Sequence, residues 1–361
     1  MSPEAARNRA DELLNTVVIS IRRADLAMDR GIIIEVLARY LTPLSDDRRF
    51  QWLYLNGVHG TPQAWLAVDA DRDAVCGAAA AFPRRFHLGN EEILSWVLGD
   101  FCLDPQYRSL GPALQLQRAC LGVMEQNPAA FCYDFPSASM VAVYKRLGLS
   151  VTGKMLRLAK PLRVDRKVKE RITNPAARRV FSSVANAFLK IALPNGTADK
   201  TLEMSTQKEP CGDEFTALMH EQRGKFEICL QRSAEYLNWR YVNNPLTSYE
   251  IITARRHGKL KGYVVWTKSE EDAAVVDLFG ENNPAIVKTL LAEVVARLTN
   301  CGVMTVSLWL TESHPWLSWC SEMGFRARDS LPMICIPGAV LGNSVEVRSA
   351  KWFLMQGDRD S

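Results

Sequence analysis

An ordered series of short motifs occurs twice along the 361 residues and limits the possible folds more than any other feature. Residues 50–56 recur as residues 237–243, with Trp, Tyr and Asn at alternate positions in both copies. A strand-like run, a charged turn and a glycine-led strand follow each copy at similar spacing. A whole series in one order is typical of a duplicated fold. The sequence therefore predicts two units of similar architecture.

The first copy contains a strand, a glycine turn and a helix in direct succession. Residues 93–103 are rich in β-branched, aromatic and aliphatic side chains, which predicts a buried strand. Apolar residues recur at helical spacing over residues 114–123. The first-turn N–H groups of a helix have no internal partners and lie at the positive end of its dipole. The turn therefore predicts an anion site, where Gly111 permits close approach and Arg108 adds a cation.

A second segment gives this turn a more specific interpretation. Residues 131–134 form a short apolar strand, and the helix-like run after it ends in Tyr144-Lys-Arg-Leu-Gly148-Leu. Together with the Arg-x-x-Gly-x-Ala loop at residues 108–113, this segment resembles the GNAT superfamily of acyl-CoA N-acyltransferases. In that family such a loop binds the coenzyme A pyrophosphate, and a Tyr-x-x-x-Gly-Phe ending follows the fifth strand.

The resemblance implies an α/β fold of the α+β kind, made of two tandem GNAT-like units. Each unit has a mixed, mostly antiparallel central sheet flanked by helices. We expect the first unit over residues 1–160, a basic helical linker over 161–200 and the second unit over 201–361. Ser137 and Leu149 depart from the family pattern, because asparagine and phenylalanine are common at those positions.

The resemblance also implies an acyl-CoA-dependent N-acyltransferase, which moves an acyl group such as acetyl to an amine by direct attack in a ternary complex. Coenzyme A binding is carried over to Phe101, Cys102, Leu103, Arg108, Ser109, Leu110, Gly111, Pro112, Ala113 and Ser137. Tyr144 falls where many members keep a tyrosine near the thioester sulfur, and it is the candidate general acid. Its alternative role is that of a packed aromatic on a helix face.

Two carboxylates are candidates for the general base. Asp100 and Asp134 lie within or at the end of central apolar strands, where a lone carboxylate is costly and becomes a better proton acceptor near neutral pH. The alternative role of Asp100 is a structural hydrogen bond to a neighbouring turn. Its recurrence as Asp277 in the second copy favours that role, so Asp134 ranks above Asp100.

The second copy lacks the features of a coenzyme A site. The segment at residues 280–284 has neither the arginine nor the second small residue of the loop, and Cys320 stands where the first copy has Tyr144. Glu281 would also repel a pyrophosphate. We therefore expect the second unit to build the acceptor side or to support the first unit.

Composition excludes several other classes of protein. The formal net charge of +4 gives no support for nucleic-acid binding. The five histidines lack metal-ligand spacing, so no metal is expected. Nine cysteines without a Cys-x-x-Cys pair, mostly in apolar runs, indicate reduced thiols and a cytoplasmic protein. We expect neither a secretion signal in the first 30 residues nor an apolar run of about 20 residues that spans a bilayer.

The predicted linker carries local positive charge, with nine Lys or Arg residues against three Asp or Glu residues over 161–200. One helical stripe joins Val180, Val184, Phe188 and Ile191. An interdomain helix is the favoured interpretation. The alternative is weak contact of residues 163–193 with an anionic membrane, which would place the protein at the inner membrane face.

Two alternative functions stay open at this stage. One is a Fem-type aminoacyltransferase that uses aminoacyl-tRNA, and the intact loop and modest charge argue against it. The other is a non-catalytic coenzyme A-binding or scaffolding module. The Trp-Arg-Tyr segment and the C-terminal ending loosely resemble double-unit GNAT proteins of bacterial polysaccharide or cell-envelope synthesis. The acceptor is therefore expected to be a small-molecule or sugar amine, while acyl chain length and oligomeric state stay open.

Overall fold

A computed structural model describes residues 18–127, 130–165, 199–341 and 350–359, together with residues 174, 181, 184 and 347. Among these residues, fourteen strands form one mixed sheet. The strands are β1 (Ile19–Arg23), β2 (Gln63–Asp69), β3 (Ala74–Leu88), β4 (Glu91–Leu103), β5 (Phe131–Asp134), β6 (Gly153–Pro161), β7 (Glu203–Gln207), β8 (Ile228–Leu230), β9 (Glu250–Arg256), β10 (Lys259–Lys268), β11 (Asp272–Gly280), β12 (Thr305–Thr311), β13 (Arg326–Pro337) and β14 (Trp352–Phe353).

Helices cover the sheet. The helices are α1 (Arg30–Tyr40), α2 (Asp47–Phe50), α3 (Leu110–Leu121), α4 (Val123–Gln126), α5 (Ala138–Arg146), α6 (Asp213–Gln222), α7 (Ala234–Leu237), α8 (Pro284–Asn300) and α9 (Leu317–Glu322). The order along the main path is β1-β2-β3-β4-β5-β13-β6-β12-β11-β10-β9-β7, and β8 pairs with β3 and β14. Only β4–β5, β11–β12 and β8–β14 pair in parallel among the described strands. The predicted α/β fold with a mixed, mostly antiparallel sheet and flanking helices is confirmed.

The two halves have the same order of strands and α-helices, apart from α4, β8 and β14. In each half a strand and a helix precede a short helix that runs into a π-helical turn, at Gln51–Leu55 and at Asn238–Val242. These turns contain the recurring Trp-x-Tyr motif. Trp52 and Trp239 stack with ring centroids 5.2 Å apart, and each indole N–H donates to the other's backbone carbonyl at 2.8 and 2.9 Å. The recurring motif therefore forms one of the contacts between the halves.

The sheet separates two hydrophobic cores, and the alanines of β3 contribute to both because side chains alternate across a strand. Ala78 and Ala80 belong to the large core, which extends through both halves and includes residues of α1. Ala79 and Ala81 belong to a smaller core with residues of α3. Small side chains on both faces let helices approach the sheet closely. Eight of the nine cysteines are buried, and all nine are free thiols.

The halves exchange strands at the centre of the sheet. Strand β6, which ends the first half, pairs with β12 of the second half and with β13. Strand β13 ends the second half, and its last four residues return to pair with β5 of the first half. Neither half therefore completes its own sheet.

Strand β4 contains a β-bulge and pairs with β5 over only a short stretch. Ala78 pairs with Cys102 and Ala80 pairs with Gly99, so Asp100 and Phe101 together face one residue and form a β-bulge. Asp100 has a φ of 49°, a left-handed conformation that Asp adopts more readily than most residues. Strands β4 and β5 pair only at two positions, Trp96 with Cys132 and Val97 with Tyr133. Beyond Val97 the two strands diverge and leave a gap.

Candidate active site

A cavity of about 480 Å³ lies beside the end of β4, the turn that follows it and α5. Eight of the ten predicted cofactor-binding residues line this cavity. They are Phe101, Cys102, Leu103, Arg108, Ser109, Leu110, Ala113 and Ser137. Gly111 and Pro112 do not line it, although they belong to the same first turn of α3. The strand, the loop and the start of α5 therefore converge on one cavity.

The first turn of α3 has no side-chain cap and has open space beside Gly111. Ser109 precedes the helix in an extended conformation without a side-chain cap, and the turn contains no acidic residue. An added Cβ at Gly111 would meet nothing within 4 Å, and its φ is not in the left-handed region. The fold itself therefore does not require glycine here. A ligand that approaches the backbone closely would require it.

Arg108 adds positive charge at the same end of the cavity. Its Nε donates to the carbonyl oxygen of Leu103 at 3.0 Å. This bond ties the guanidinium to the end of β4. The cation is therefore held beside the first turn of α3.

A second cavity of about 470 Å³ adjoins the first, because Phe101, Ser137 and Met140 line both. Its lining includes residues of the β4 bulge and of the end of β5. Leu246 and Thr247 of the second half line it too, and they also line a third cavity of about 430 Å³. Residues of the first half line the first cavity, and residues of both halves line the second. The two cavities thus meet at the gap between β4 and β5.

Asp134 lies in the second cavity within a short chain of hydrogen bonds. The Tyr144 hydroxyl donates to Asp134 Oδ2 at 2.6 Å and accepts from Gln117 Nε2 at 3.0 Å. Burial and the neighbouring Asp134 raise the pKa of Tyr144 well above its usual value of 10. Tyr144 is fully buried and lines neither cavity, whereas Asp134 and Gln117 line the second. In this arrangement Tyr144 orients the carboxylate that faces the cavity.

Asp100 also lines the second cavity, but its oxygens are engaged by neighbouring side chains. Arg49 binds it through two nitrogens at 2.9 and 2.6 Å, and the Tyr54 hydroxyl donates to it at 2.7 Å. Burial and Asp100 raise the pKa of Tyr54 well above 10. Asp277, the counterpart of Asp100 in the second half, is likewise buried and forms an ion pair with Arg232 at 3.0 Å. This geometry favours the structural role of Asp100 over that of a base.

The corresponding gap in the second half is occupied by residues 350–359, which we call the C-terminal segment. Strands β11 and β12 pair in parallel over four positions only, and Met355 bridges to Leu310 of β12. Gly357 lies against Tyr241 and the backbone carbonyl of Val276, a residue of β11. Space that could receive a ligand in the first half is thus filled by protein in the second. This filling gives a physical basis for the expectation that the second half does not bind coenzyme A.

Several residues of the second cavity have no signal in the sequence motifs. They are Arg49, Gln117, Leu246, Thr247 and Arg359. Gln117 could have been found as a polar residue on the buried face of α3. The others come from elements far apart in the chain, and only the strand exchange and the C-terminal segment bring them together.

Two expectations concern partners outside the protein. Residues 163–193, the proposed membrane contact, lie almost entirely outside the residues that the structure describes. Within the described ranges, no helix has both the length and the apolar character needed to cross a membrane. The same residues contain no group of three or more His, Cys, Asp or Glu side chains that could hold a metal ion.

Comparison with known proteins gives matches to solved structures. No protein-family model and no curated protein sequence matches the chain. A probable N-acyltransferase of unknown function from Enterococcus faecalis is 13% identical with a TM-score of 0.62, covering 89% of this chain and 73% of the other. A GCN5-related N-acetyltransferase from Anabaena variabilis is 13% identical with a TM-score of 0.64, covering 88% and 72%.

A third similar structure is an N-myristoyltransferase from Saccharomyces cerevisiae with bound myristoyl-CoA. It is 11% identical with a TM-score of 0.56, covering 88% of this chain and 78% of the other. At such identities the likeness establishes a shared fold and no shared substrate.

Proposed function

We propose that this chain, which has the fold of the GNAT N-acyltransferases as its motifs predicted, is an acyl-CoA-dependent N-acyltransferase. The observation that carries this proposal is the pair of joined cavities at the β4–β5 gap. One cavity presents an uncapped helix start and a cation, and the other presents a half-buried carboxylate. Two substrates that react with each other need two such spaces that meet.

In the proposed complex, acyl-CoA occupies the first cavity. Its pyrophosphate lies at the first turn of α3, where backbone N–H groups and Arg108 stabilise negative charge. The pantetheine arm follows β4 along Phe101, Cys102 and Leu103. The thioester then reaches the gap, where backbone N–H groups beside the bulge can stabilise the developing oxyanion.

The amine acceptor occupies the second cavity beside Asp134. Asp134 takes one proton from the ammonium group, which leaves a neutral nitrogen that attacks the thioester carbonyl carbon. A C–N bond forms and the C–S bond breaks, and the second amine proton neutralises the departing thiolate. Tyr144 holds Asp134 in place through its 2.6 Å hydrogen bond. The general-acid role of Tyr144 stays a prediction of the family resemblance.

The first test of this function is calorimetric titration with acetyl-CoA, longer acyl-CoAs and free coenzyme A. Gly111→Glu should weaken acetyl-CoA binding about tenfold or more, because a carboxylate would face the pyrophosphate. Gly212→Glu is a matched control. Gly212 also lies at a helix start, and an added Cβ there also meets nothing within 4 Å, but it belongs to the second half. Equal affinity of the wild type and Gly111→Glu would mean that the loop is misassigned.

A second test separates the roles of Asp134 and Tyr144 by kinetics with an accepted amine. Asp134→Asn should lower kcat about 100-fold or more, since proton transfer by a positioned group contributes on that scale. Tyr144→Phe should lower kcat less and shift the pH profile, because Asp134 stays but loses its hydroxyl partner. Both variants should bind coenzyme A like the wild type. An unchanged kcat in Asp134→Asn would remove this carboxylate as the base.

Other results would favour the alternative functions. Absence of binding to every acyl-CoA would favour a tRNA-dependent transferase. Tight binding without turnover of any amine would favour a coenzyme A-binding module. An amino sugar of bacterial polysaccharides and an acetyl donor stay predictions of the sequence resemblance, to be tested in the same assays.

A further inference from the structure

Gln117 is the one polar residue among the buried residues of α3, the others being Ala113, Leu116 and Cys120. Its relative exposure is only 2%. Residues 113, 117 and 120 lie on one face of the helix, because their spacings of four and three are close to whole turns. Ala113 lines the first cavity, while Gln117 and Cys120 line the second. This face of α3 therefore follows both cavities and places an amide group at the second.

The amide nitrogen of Gln117 determines the direction of the hydrogen bonds at Tyr144. Nε2 of Gln117 donates to the Tyr144 hydroxyl oxygen at 3.0 Å, and the hydroxyl donates to Asp134 Oδ2 at 2.6 Å. A hydroxyl has a single proton, so the proton of Tyr144 is directed at Asp134. The nitrogen and the oxygen of an amide point in diverging directions from one carbon. Because Nε2 is turned towards Tyr144, Oε1 of Gln117 is turned away from it.

The oxygen of this amide has no donor within the described part of the protein. Among those residues Oε1 accepts no hydrogen bond, although the protein does not enclose it completely. Since Gln117 lines the second cavity, the oxygen can be reached from that space. Polar groups of buried side chains are generally hydrogen-bonded. This oxygen is therefore suited to a donor that arrives with the second substrate.

We propose that Gln117 binds the amine of the acceptor, with Oε1 accepting a hydrogen bond from one of its N–H groups. This inference rests on the acyltransferase function proposed above and adds a binding residue that no motif indicated. An amine has N–H groups both as the ammonium ion and after it has lost a proton, so the bond persists through the proton transfer. It holds the nitrogen beside α3 and restricts the directions in which its lone pair can point.

The test measures the KM of the amine at saturating acetyl-CoA, with thiol release as readout. The probes are ethylamine, glucosamine and Nα-acetyllysine. Gln117→Met should raise the KM of every accepted probe about tenfold or more, the scale of a lost hydrogen bond to a charged group. Acetyl-CoA affinity should stay unchanged, because Gln117 does not line the first cavity. Gln115→Met is the matched control, since Gln115 is exposed on the same helix and lines neither cavity.

Gln117→Glu separates amine binding from side-chain packing. Glutamate has nearly the size of glutamine and keeps an oxygen for the amine whether or not it is protonated. The KM of the amine should therefore stay at or below the wild-type value in this variant. A KM that rises as much in Gln117→Glu as in Gln117→Met would overturn the proposal.

A double variant separates direct binding from an effect through Tyr144. In Tyr144→Phe the amide nitrogen has lost its hydroxyl partner, so a residue that acted only by positioning Tyr144 would have no further effect. Gln117→Met should still raise the KM of the amine in the Tyr144→Phe background. An unchanged KM in that background would assign Gln117 to the support of Tyr144 and overturn amine binding.

The outcomes also distinguish this proposal from the function on which it rests. If amines are acylated and Gln117→Met has the same KM as Gln115→Met, the assignment of Gln117 is overturned and the acyltransferase function stands. Failure of acyl-CoA binding, or absence of thiol release with every amine, overturns the acyltransferase function itself.

Discussion

At the scale of single residues, the two candidate carboxylates differ in what surrounds them. Asp100 lies in the β4 bulge and is held by Arg49 and Tyr54, whereas Asp134 ends β5 at the cavity and is held by Tyr144. Both oxygens of Asp100 are already occupied by donors of neighbouring side chains. The sequence ranked Asp134 above Asp100 on the recurrence of Asp277 alone. The ion pair supplies the physical reason.

Asp100→Asn should lower the free energy of unfolding by about 3–5 kcal/mol, because it leaves the Arg49 guanidinium buried without its counter-ion. Asparagine keeps the size of the side chain and tolerates the φ of 49°. Urea unfolding measures the effect. The double variant Asp100→Asn with Arg49→Gln should lose less stability than the two single variants combined. A single-variant loss below about 1 kcal/mol would contradict a structural ion pair.

Acid should destabilise the protein through His314. Burial lowers the pKa of His314 from 6.5 to about 3, while Nδ1 accepts the backbone N–H of Trp316 at 3.1 Å. Below pH 6.5 the unfolded chain binds a proton that the folded chain does not, so the free energy of unfolding falls as the pH falls towards 3. Because of this histidine, the free energy of unfolding should be about 2 kcal/mol lower at pH 5 than at pH 7.

The measurement compares wild type and His314→Phe by urea unfolding at pH 7 and pH 5. Phenylalanine has no titrating group, so the stability of the variant relative to the wild type should rise by about 2 kcal/mol on acidification. His59, whose pKa burial also lowers to about 3, is present in both proteins and cancels in the comparison. A pH-independent difference would show that His314 does not titrate in this way.

At the scale of elements, the two gaps in the sheet have different contents. In the first half the β4–β5 gap opens into two cavities, whereas the C-terminal segment fills the β11–β12 gap of the second half. Asp358 is buried there between Arg232 and the backbone N–H of Met355. The same segment therefore closes one gap and carries Arg359 to the other.

Gly357→Ala should destabilise this segment, because the added methyl group would overlap the Tyr241 hydroxyl and approach the Val276 carbonyl at 3.2 Å. We expect a loss of about 1–3 kcal/mol in the free energy of unfolding, the usual cost of overpacking. Tyr241→Phe in the same background should recover part of the loss. Gly111→Ala is the matched control and should keep wild-type stability, since nothing lies within 4 Å of its added carbon. Equal stability of the two alanine variants would contradict close packing of the segment.

At the scale of the whole molecule, the exchange of β6 and β13 makes the halves interdependent. Strand β6 lies between β12 and β13, and β13 joins β5 to β6. A first half alone would leave β5 paired only with β4, and it would leave β6 without both partners. Exposed strand edges of this kind favour aggregation. The recurring Trp52 and Trp239 would also lose their mutual hydrogen bonds.

We therefore predict that residues 1–165 and 199–361, produced separately, are insoluble or unfolded, and that the two fragments form one folded complex when produced together. Size-exclusion chromatography and circular dichroism of each fragment and of the pair measure this. Intact protein under the same conditions is the reference. A folded, monomeric first fragment would contradict the interdependence.

The sequence by itself determined the fold class, the repeated order of elements and the strand, turn and helix where coenzyme A is proposed to bind. These features follow from local patterns, namely strand and helix periodicity, a glycine turn at a helix start and motifs that recur in order. A local pattern can be recognised in the sequence because the residues that it involves lie close together along the chain.

Only the tertiary structure decided the partners of Asp100, the filling of the second gap and the composition of the second cavity. Arg49 and Asp100 are 51 positions apart, and Arg232 and Asp358 are 126 positions apart. Such pairs are brought together by sheet register and by the strand exchange, which no short segment encodes. The charge environment of the proposed acceptor site is therefore a property of the assembled sheet, because burial and long-range pairing determine which charges remain available to a ligand.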